Sequence, residues 1–264
     1  MTRRLARLLA CAGVVTGIAC IDITVDGSAL GSLQFVSLPY PSVDVGDTLR
    51  DARGVVAPLT ANVFRADNTP DPAVPVSFLA LDTGLTILAT TNTVVGRALP
   101  AGQPSRSVRV IASAAGLQTP ARTLLVVPAP DTLGRVGTRT QDTIAFSLPA
   151  AATDTSRSLT MQLGVKNGAT VVGVPGYIVR YTLRKGSNVL PASDTTQAFF
   201  FVDQSGRLTK VDTSDNSGFV SRNLRFRIRQ GQAQRDTVEV LAEARRGGRM
   251  ARDTIRWTVV IIPK

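Results

Sequence analysis

Apolar side chains recur at every second position along short segments of this chain, and turn residues close each segment. Leu159, Met161, Leu163 and Val165 alternate in this way. So do Tyr177, Val179, Tyr181 and Leu183, with Arg180 and Arg184 on the opposite face. Successive side chains of a strand point to opposite faces, so a period of two marks a sheet with one face on a core. The same period runs through Leu59/Ala61/Val63, Val74/Val76/Phe78, Val108/Val110/Ala112 and Leu124/Val126, and later through Leu224/Phe226/Ile228, Val238/Val240/Ala242 and Ile255/Trp257/Val259/Ile261. No segment keeps a helical period over a dozen residues. Glu occurs only at 239 and 243, and Lys only at 166, 185, 210 and 264. Long helices lean on both residues, whereas Thr, Val, Ser, Gly and Pro, abundant here, favour strands and turns. The expectation is an all-β chain built of sandwiches.

Val127-Pro128-Ala129-Pro130 interrupts the series. Two prolines around one alanine cannot continue a central strand. The reading is two tandem sandwich domains, 32–130 and 141–264, with a protease-sensitive linker at 131–140. Each half has the size of an immunoglobulin-like sandwich, ~100 residues. The antibody hallmarks are missing: no Cys pair is available, and the one Trp, Trp257, sits in the last strand.

Arg3, Arg4 and Arg7 precede an apolar run from Leu8 to Ala19. A membrane span needs ~20 apolar residues, so 1–19 reads as a secretory signal peptide. Gly17-Ile18-Ala19-Cys20 resembles a bacterial lipobox, in which Cys20 is lipid-modified and starts the mature protein. Gly17 stands where such motifs usually carry Leu, and small residues at 17 and 19 fit ordinary signal-peptidase cleavage equally well. Cys11 lies inside the leader, so Cys20 is the one remaining thiol and no intramolecular disulfide is expected. A lone Cys in an exported chain needs a reason, and acylation supplies one. Residues 20–31 read as a tether. The expected location is the bacterial outer membrane, cell surface or periplasm, with the membrane engaged through the N-terminal lipid.

Two stretches resemble bacterial immunoglobulin-like repeats, as found in invasin- and intimin-type proteins and envelope lipoproteins. In the first half, Val43-Asp44-Val45-Gly46-Asp47-Thr48 is similar to the opening turn of such a repeat. Val76-Ser77-Phe78 with Asp82 is similar to its central strand, with Phe78 in place of Trp, and Val108-Arg109-Val110-Ile111-Ala112 to its late strand. In the second half the matching segments are Gly173-Val174-Pro175-Gly176-Tyr177-Ile178-Val179, Thr213-Ser214-Asp215-Asn216-Ser217-Gly218 and Asp236-Thr237-Val238-Glu239-Val240-Leu241-Ala242. The resemblance implies architecture and location. It carries no shared active site, and fold does not imply function.

The chain has no His, which removes the usual general base near neutral pH and the commonest metal ligand. No glycine-rich nucleotide loop and no nucleophile elbow is present. No catalytic residue, metal ligand set or cofactor is expected. Asp212-Thr213-Ser214-Asp215-Asn216-Ser217-Gly218 is oxygen-rich enough for a weak calcium loop, but these are equally the residues of an ordinary β-turn. Phe199-Phe200-Phe201 puts Phe200 opposite its two neighbours, either as an exposed contact or in a strand buried on both sides. Trp257, in phase with Ile255 and Val259, reads as core.

The formal charge is +11, and it is uneven: 8 Arg against 9 Asp in residues 20–136, but 19 bases against 10 acids in 137–264. Ten Arg and four acids fall between Arg222 and Arg256. Arg225, Arg227 and Arg229 alternate with Leu224, Phe226 and Ile228. A hairpin returning through Thr237 would set Arg227 against Glu239 and Asn223 against Glu243, with Arg245, Arg246 and Arg249 at the next turn. Opposite charges across strands give a solvated face, whereas uncompensated Arg suits bidentate contact with phosphate or carboxylate. Three functions follow. The first is a non-enzymatic, lipid-anchored spacer, adhesion or binding module with an envelope partner. The second is a binder of anionic lipid or acidic glycan through the basic hairpin, with nucleic acid not expected. The third is a secreted hydrolase using paired carboxylates.

Overall fold

The computed structural model describes residues 29–146, 154–192, 194–227, 235–246, 249–250 and 254–263. Every regular element among them is a strand. The N-terminal half contains β1 (Leu30–Phe35), β2 (Ser42–Asp44), β3 (Ala61–Arg65), β4 (Ser77–Ala80), β5 (Leu85–Leu88), β6 (Thr93–Gly96), β7 (Arg106–Ala114), β8 (Leu117–Gln118) and β9 (Arg122–Val127). The C-terminal half contains β10 (Thr132–Arg135), β11 (Gln141–Phe146), β12 (Asp154–Thr155), β13 (Leu159–Asn167), β14 (Thr170–Gly173), β15 (Ile178–Lys185), β16 (Asn188–Leu190), β17 (Phe199–Val202), β18 (Val211–Thr213), β19 (Phe219–Phe226), β20 (Asp236–Arg246), β21 (Arg249–Met250) and β22 (Ile255–Pro263).

The two halves repeat one plan. One sheet of the first runs β2-β9-β7-β4, and one sheet of the second runs β11-β22-β20-β15. In each, an early strand lies parallel to the last strand, β2 on β9 and β11 on β22, while the other neighbours are antiparallel. The pairs β1–β3 and β5–β6 make the remaining sheets of the first half, and β10-β13-β19-β12, with β14 and β17 attached, makes the second sheet of the other. The chain is all-β, as the alternation requires.

Burial follows the period. Leu159, Met161 and Leu163 are buried on β13, and Val179, Tyr181 and Leu183 on β15. One core gathers residues of the first half, among them Tyr40, Leu49, Phe78, Val94, Val108 and Leu124. A second, aromatic-rich core gathers Phe146, Tyr181, Phe199, Phe201, Phe226 and Trp257. Trp257 is core, as its phase predicts. Phe200 is buried too, but on the opposite face from Phe199 and Phe201.

Two boundaries differ from expectation. Residues 131–140 are not a free linker: Thr132–Arg135 forms β10 on β13, Leu133 is core, and Asp131 N–H donates to Gly164 O at 3.1 Å. This strand is only four residues long, contains Gly134 and follows the prolines that suggested a break. β1 begins at Leu30, inside the expected tether. The signal segment and Cys20 lie outside the described residues.

Backbones approach closely where the second half's motif segments meet. A Cβ on Gly218 would lie 2.1 Å from Leu163 O, and one on Gly173 would lie 2.0 Å from Ser217 O. Gly218 also has φ +78°, where other residues are strained.

Candidate functional site

The basic row lies in a different setting from the predicted hairpin. β19 pairs with β13, β12 and β17, and β20 pairs with β15, β21 and β22. The two strands therefore belong to opposite sheets, and the chain crosses the sandwich between Phe226 and Asp236. Leu224 and Phe226 meet Val238, Val240 and Ala242 in one core from opposite sides. A hairpin would have placed all of them in one layer.

The expected cross-strand partners change accordingly. Glu239 lies opposite Arg184, and Glu243 opposite Arg180, both on β15. Arg256 Nη1 is 3.6 Å from Glu239 Oε1. Arg225 is half-buried on the outer face of β19, beside Phe200 of β17. The Arg227 guanidinium sits 5.8 Å from the centre of the Phe200 ring, a cation–π contact. These arginine stems thus help cover Phe200, which explains an aromatic buried outside the core. Arg222, on the core-facing side, is 8% exposed and ion-paired at 2.8 Å with Asp212. Arg229 lies outside the described residues. Arg245 pairs with Met250 and Arg246 with Arg249 in the backbone ladder of β20 and β21, and the side chains of Arg245, Arg246 and Arg249 are outside the description.

The oxygen-rich loop borders an open cleft of roughly 570 Å³ lined by Asp203, Asp212, Asp215, Phe219 and Arg222. Its carboxylates are occupied locally. Asp215 Oδ1 accepts the N–H groups of Ser217 and Phe219 at 2.8 and 2.9 Å. Asp212 accepts from Thr213 and Ser221 N–H besides its ion pair. Asp203 accepts the Ser205 hydroxyl, the Ser205 and Arg207 N–H groups, and Arg207 Nε. The Ser205 hydroxyl, then the Arg207 N–H, hold the Asp203 carboxyl well below the usual range. Asp51, Asp67, Asp71, Asp82 and Asp194 are lowered as well. A carboxyl acting as a glycosidase acid needs the opposite shift. Among the described residues no group of three or more acids, Cys or His is placed to hold a metal ion.

A buried polar site joins the two halves, and its parts come from within or beside the two family-like segments. Asp44, at the end of β2, is 6% exposed. The Tyr177 hydroxyl, just before β15, lies 2.7 and 2.8 Å from its two oxygens and donates to them. The Tyr40 hydroxyl accepts Ile178 N–H at 2.7 Å, and Ser42 Oγ donates to Gly176 O at 2.8 Å. The Tyr40 and Tyr177 rings meet edge to face, 6.1 Å apart. Gly176 has φ +74°, and a Cβ there would come within 3.1 Å of Leu125 and Ser42. Apolar contacts cross as well: Ile178 packs on the first core, and Leu125 and Val127 on the second. The sequence reading missed this joint.

No family model and no curated protein sequence matches the chain. Among solved structures, the chain is similar to the Yersinia pseudotuberculosis adhesin InvE, with 13% identity over 88% of this chain and 60% of that one and a TM-score of 0.31. It is similar to domains 4–9 of the surface layer protein SbsC, with 10% identity over 89% and 31% and a TM-score of 0.31. It is also similar to the D00–D0 domain of intimin, with 11% identity over 88% and 100% and a TM-score of 0.28. The chain therefore spans less than two thirds of the first two. It is a tandem pair of immunoglobulin-like sandwiches by its own sheets and cores. No helix among the described residues is long and apolar enough to cross a membrane.

Proposed function

We propose that this chain is an exported, lipid-anchored, non-enzymatic module of the bacterial envelope, which presents two immunoglobulin-like sandwiches as one fixed unit for adhesion or for spacing a partner from the membrane. The observation that carries the reading is the joint. Buried hydrogen bonds from Tyr40, Ser42 and Tyr177, with apolar side chains traded between the cores, hold the halves in a set relation, as presentation requires and hinged binding does not. The acyl anchor at Cys20 is supported by the lipobox-like end of the leader and by Cys20 being the one thiol after it; more than one acyl chain holds a protein stably, at ~0.8 kcal/mol per buried CH₂. Cys20→Ser moves the protein from the membrane to the soluble fraction, and wild type that incorporates no labelled palmitate overturns the anchor. In pull-downs from detergent-solubilised envelopes, a partner is retained by wild type and lost when Tyr177→Phe and Ser42→Ala open the joint. Equal retention removes the joint from the function.

A second reading is capture of anionic lipid or acidic glycan by Arg225, Arg227 and Arg229. One observation favours it: Glu239 and Glu243 face arginines of the opposite sheet and do not neutralise β19. Changing the three to Ser then lowers the salt needed for elution from heparin, and unchanged elution sinks the idea.

A further inference from the structure

The halves differ at one equivalent edge. In the second, the order β11-β22-β20-β15 continues to β16, and the outer edge of β15 is taken by β16 and β18. In the first, β4 holds the same place, and among the described residues no strand pairs with its outer edge. Leu81 N–H donates to Arg109 O at 2.8 Å, so residues 77, 79 and 81 direct their backbone groups to β7. Phe78 and Ala80 then direct theirs to the open side.

Natural edges are guarded by charge, proline or bulges. Here the outward side chains are Leu79 and Leu81, 52% and 48% exposed. The adjacent charge is neutralised, since Arg109 Nε and Nη2 lie 3.0 and 2.9 Å from the two oxygens of Asp82. We propose that this edge pairs with the same edge of a second copy of the chain, antiparallel about Ala80. Ala80 then faces its own copy in a hydrogen-bonded pair. Leu79 faces the second copy's Leu81, and Leu81 its Leu79, so that four leucines meet on one sheet face. Such a contact is isologous and closes on itself. A second copy fits because the edge is self-complementary and its Asp82 is paired with Arg109, and because 8 Arg against 9 Asp over residues 20–136 leave this half close to neutral. The second half, with 19 bases against 10 acids, repels its own copy, and its equivalent edge is covered. A short strand buries little area, so the dimer is weak and concentration-dependent.

The test is light scattering on the purified full chain carrying Cys20→Ser, so that detergent micelles do not set the mass, over a concentration series. The mass rises from monomer towards dimer. Leu79→Lys with Leu81→Lys abolishes the rise. So does Ala80→Pro, which removes only an N–H on the open side. Leu88→Lys, at an exposed site on β5, leaves the rise intact and controls for added charge. Thermal melts verify that each variant is folded. A wild type that stays monomeric throughout overturns the proposal, including one that binds an unrelated extended peptide at this edge. A dimer that survives both the lysine pair and Ala80→Pro overturns it equally.

Discussion

The first sandwich and the second share a strand order but not a way of filling it. The first buries mainly Leu and Val with Tyr40 and Phe78, and its surface carries the ion pairs Asp47–Arg50, Asp51–Arg53, Asp71–Arg65 and Asp82–Arg109. The second buries a cluster of aromatic rings, with Phe146 and Phe199 each packed on Phe226, and Tyr181 on Phe201. The same sheet thus arises from different side chains. Its order follows from alternation and turn placement, and the identity of the apolar residues is free within limits of volume.

The largest test of that contrast is Phe201→Ala. The ring is fully buried, and losing it costs about 3–5 kcal/mol. Trp257 reports on the second half alone, while far-UV circular dichroism reports on both. The fluorescence midpoint in denaturant falls, and the part of the dichroism signal from the first half stays. Equal shifts in both would mean that the halves unfold as one body. Tyr177→Phe comes next. It removes the donor to a buried carboxylate, at about 1–3 kcal/mol. The bond between the halves is lost with whichever half unfolds first, so the earlier transition shifts and the later one stays; a shift of the later transition alone would place the effect within that half. The smallest effect is acid sensitivity of the first half. The Arg109 side chain, then its N–H, hold the Asp82 carboxyl at about 2, below its ordinary 3.8. A depressed folded value gives stability that is present above 3.8 and is lost as pH falls towards 2. Asp82→Asn abolishes that component of the acid titration, and high salt weakens it, because the pair is exposed.

Strand faces were legible because a period of two states which side chains go inward. Partners were not. Leu224 and Phe226 reach the core whether β19 turns back as a hairpin or crosses to the other sheet, so alternation could not separate the two. β10 was hidden by its length and by the prolines before it. Phe200 needed a cover that no local rule supplies, and arginine stems provided it. The joint was the hardest to see, since Asp44 and Tyr177 lie far apart in sequence. A faint signal existed in Pro39-Tyr40-Pro41 and Pro175-Gly176-Tyr177, two tyrosines held by rigid turns within or beside the family-like segments.

The parallel pairing of β2 with β9 and of β11 with β22 has a mechanical consequence. Once β1 or β10, which come before them, has been drawn away, a pull on the two ends of either sandwich runs along β2 and β9, or β11 and β22, in opposite directions. The bonds between them are loaded in shear and must break together, whereas an antiparallel terminal pair would open one bond at a time. β2 and β9 share three residue pairs and β11 and β22 share six, so under tension the first sandwich yields before the second, and the half nearer the C-terminus holds to higher force.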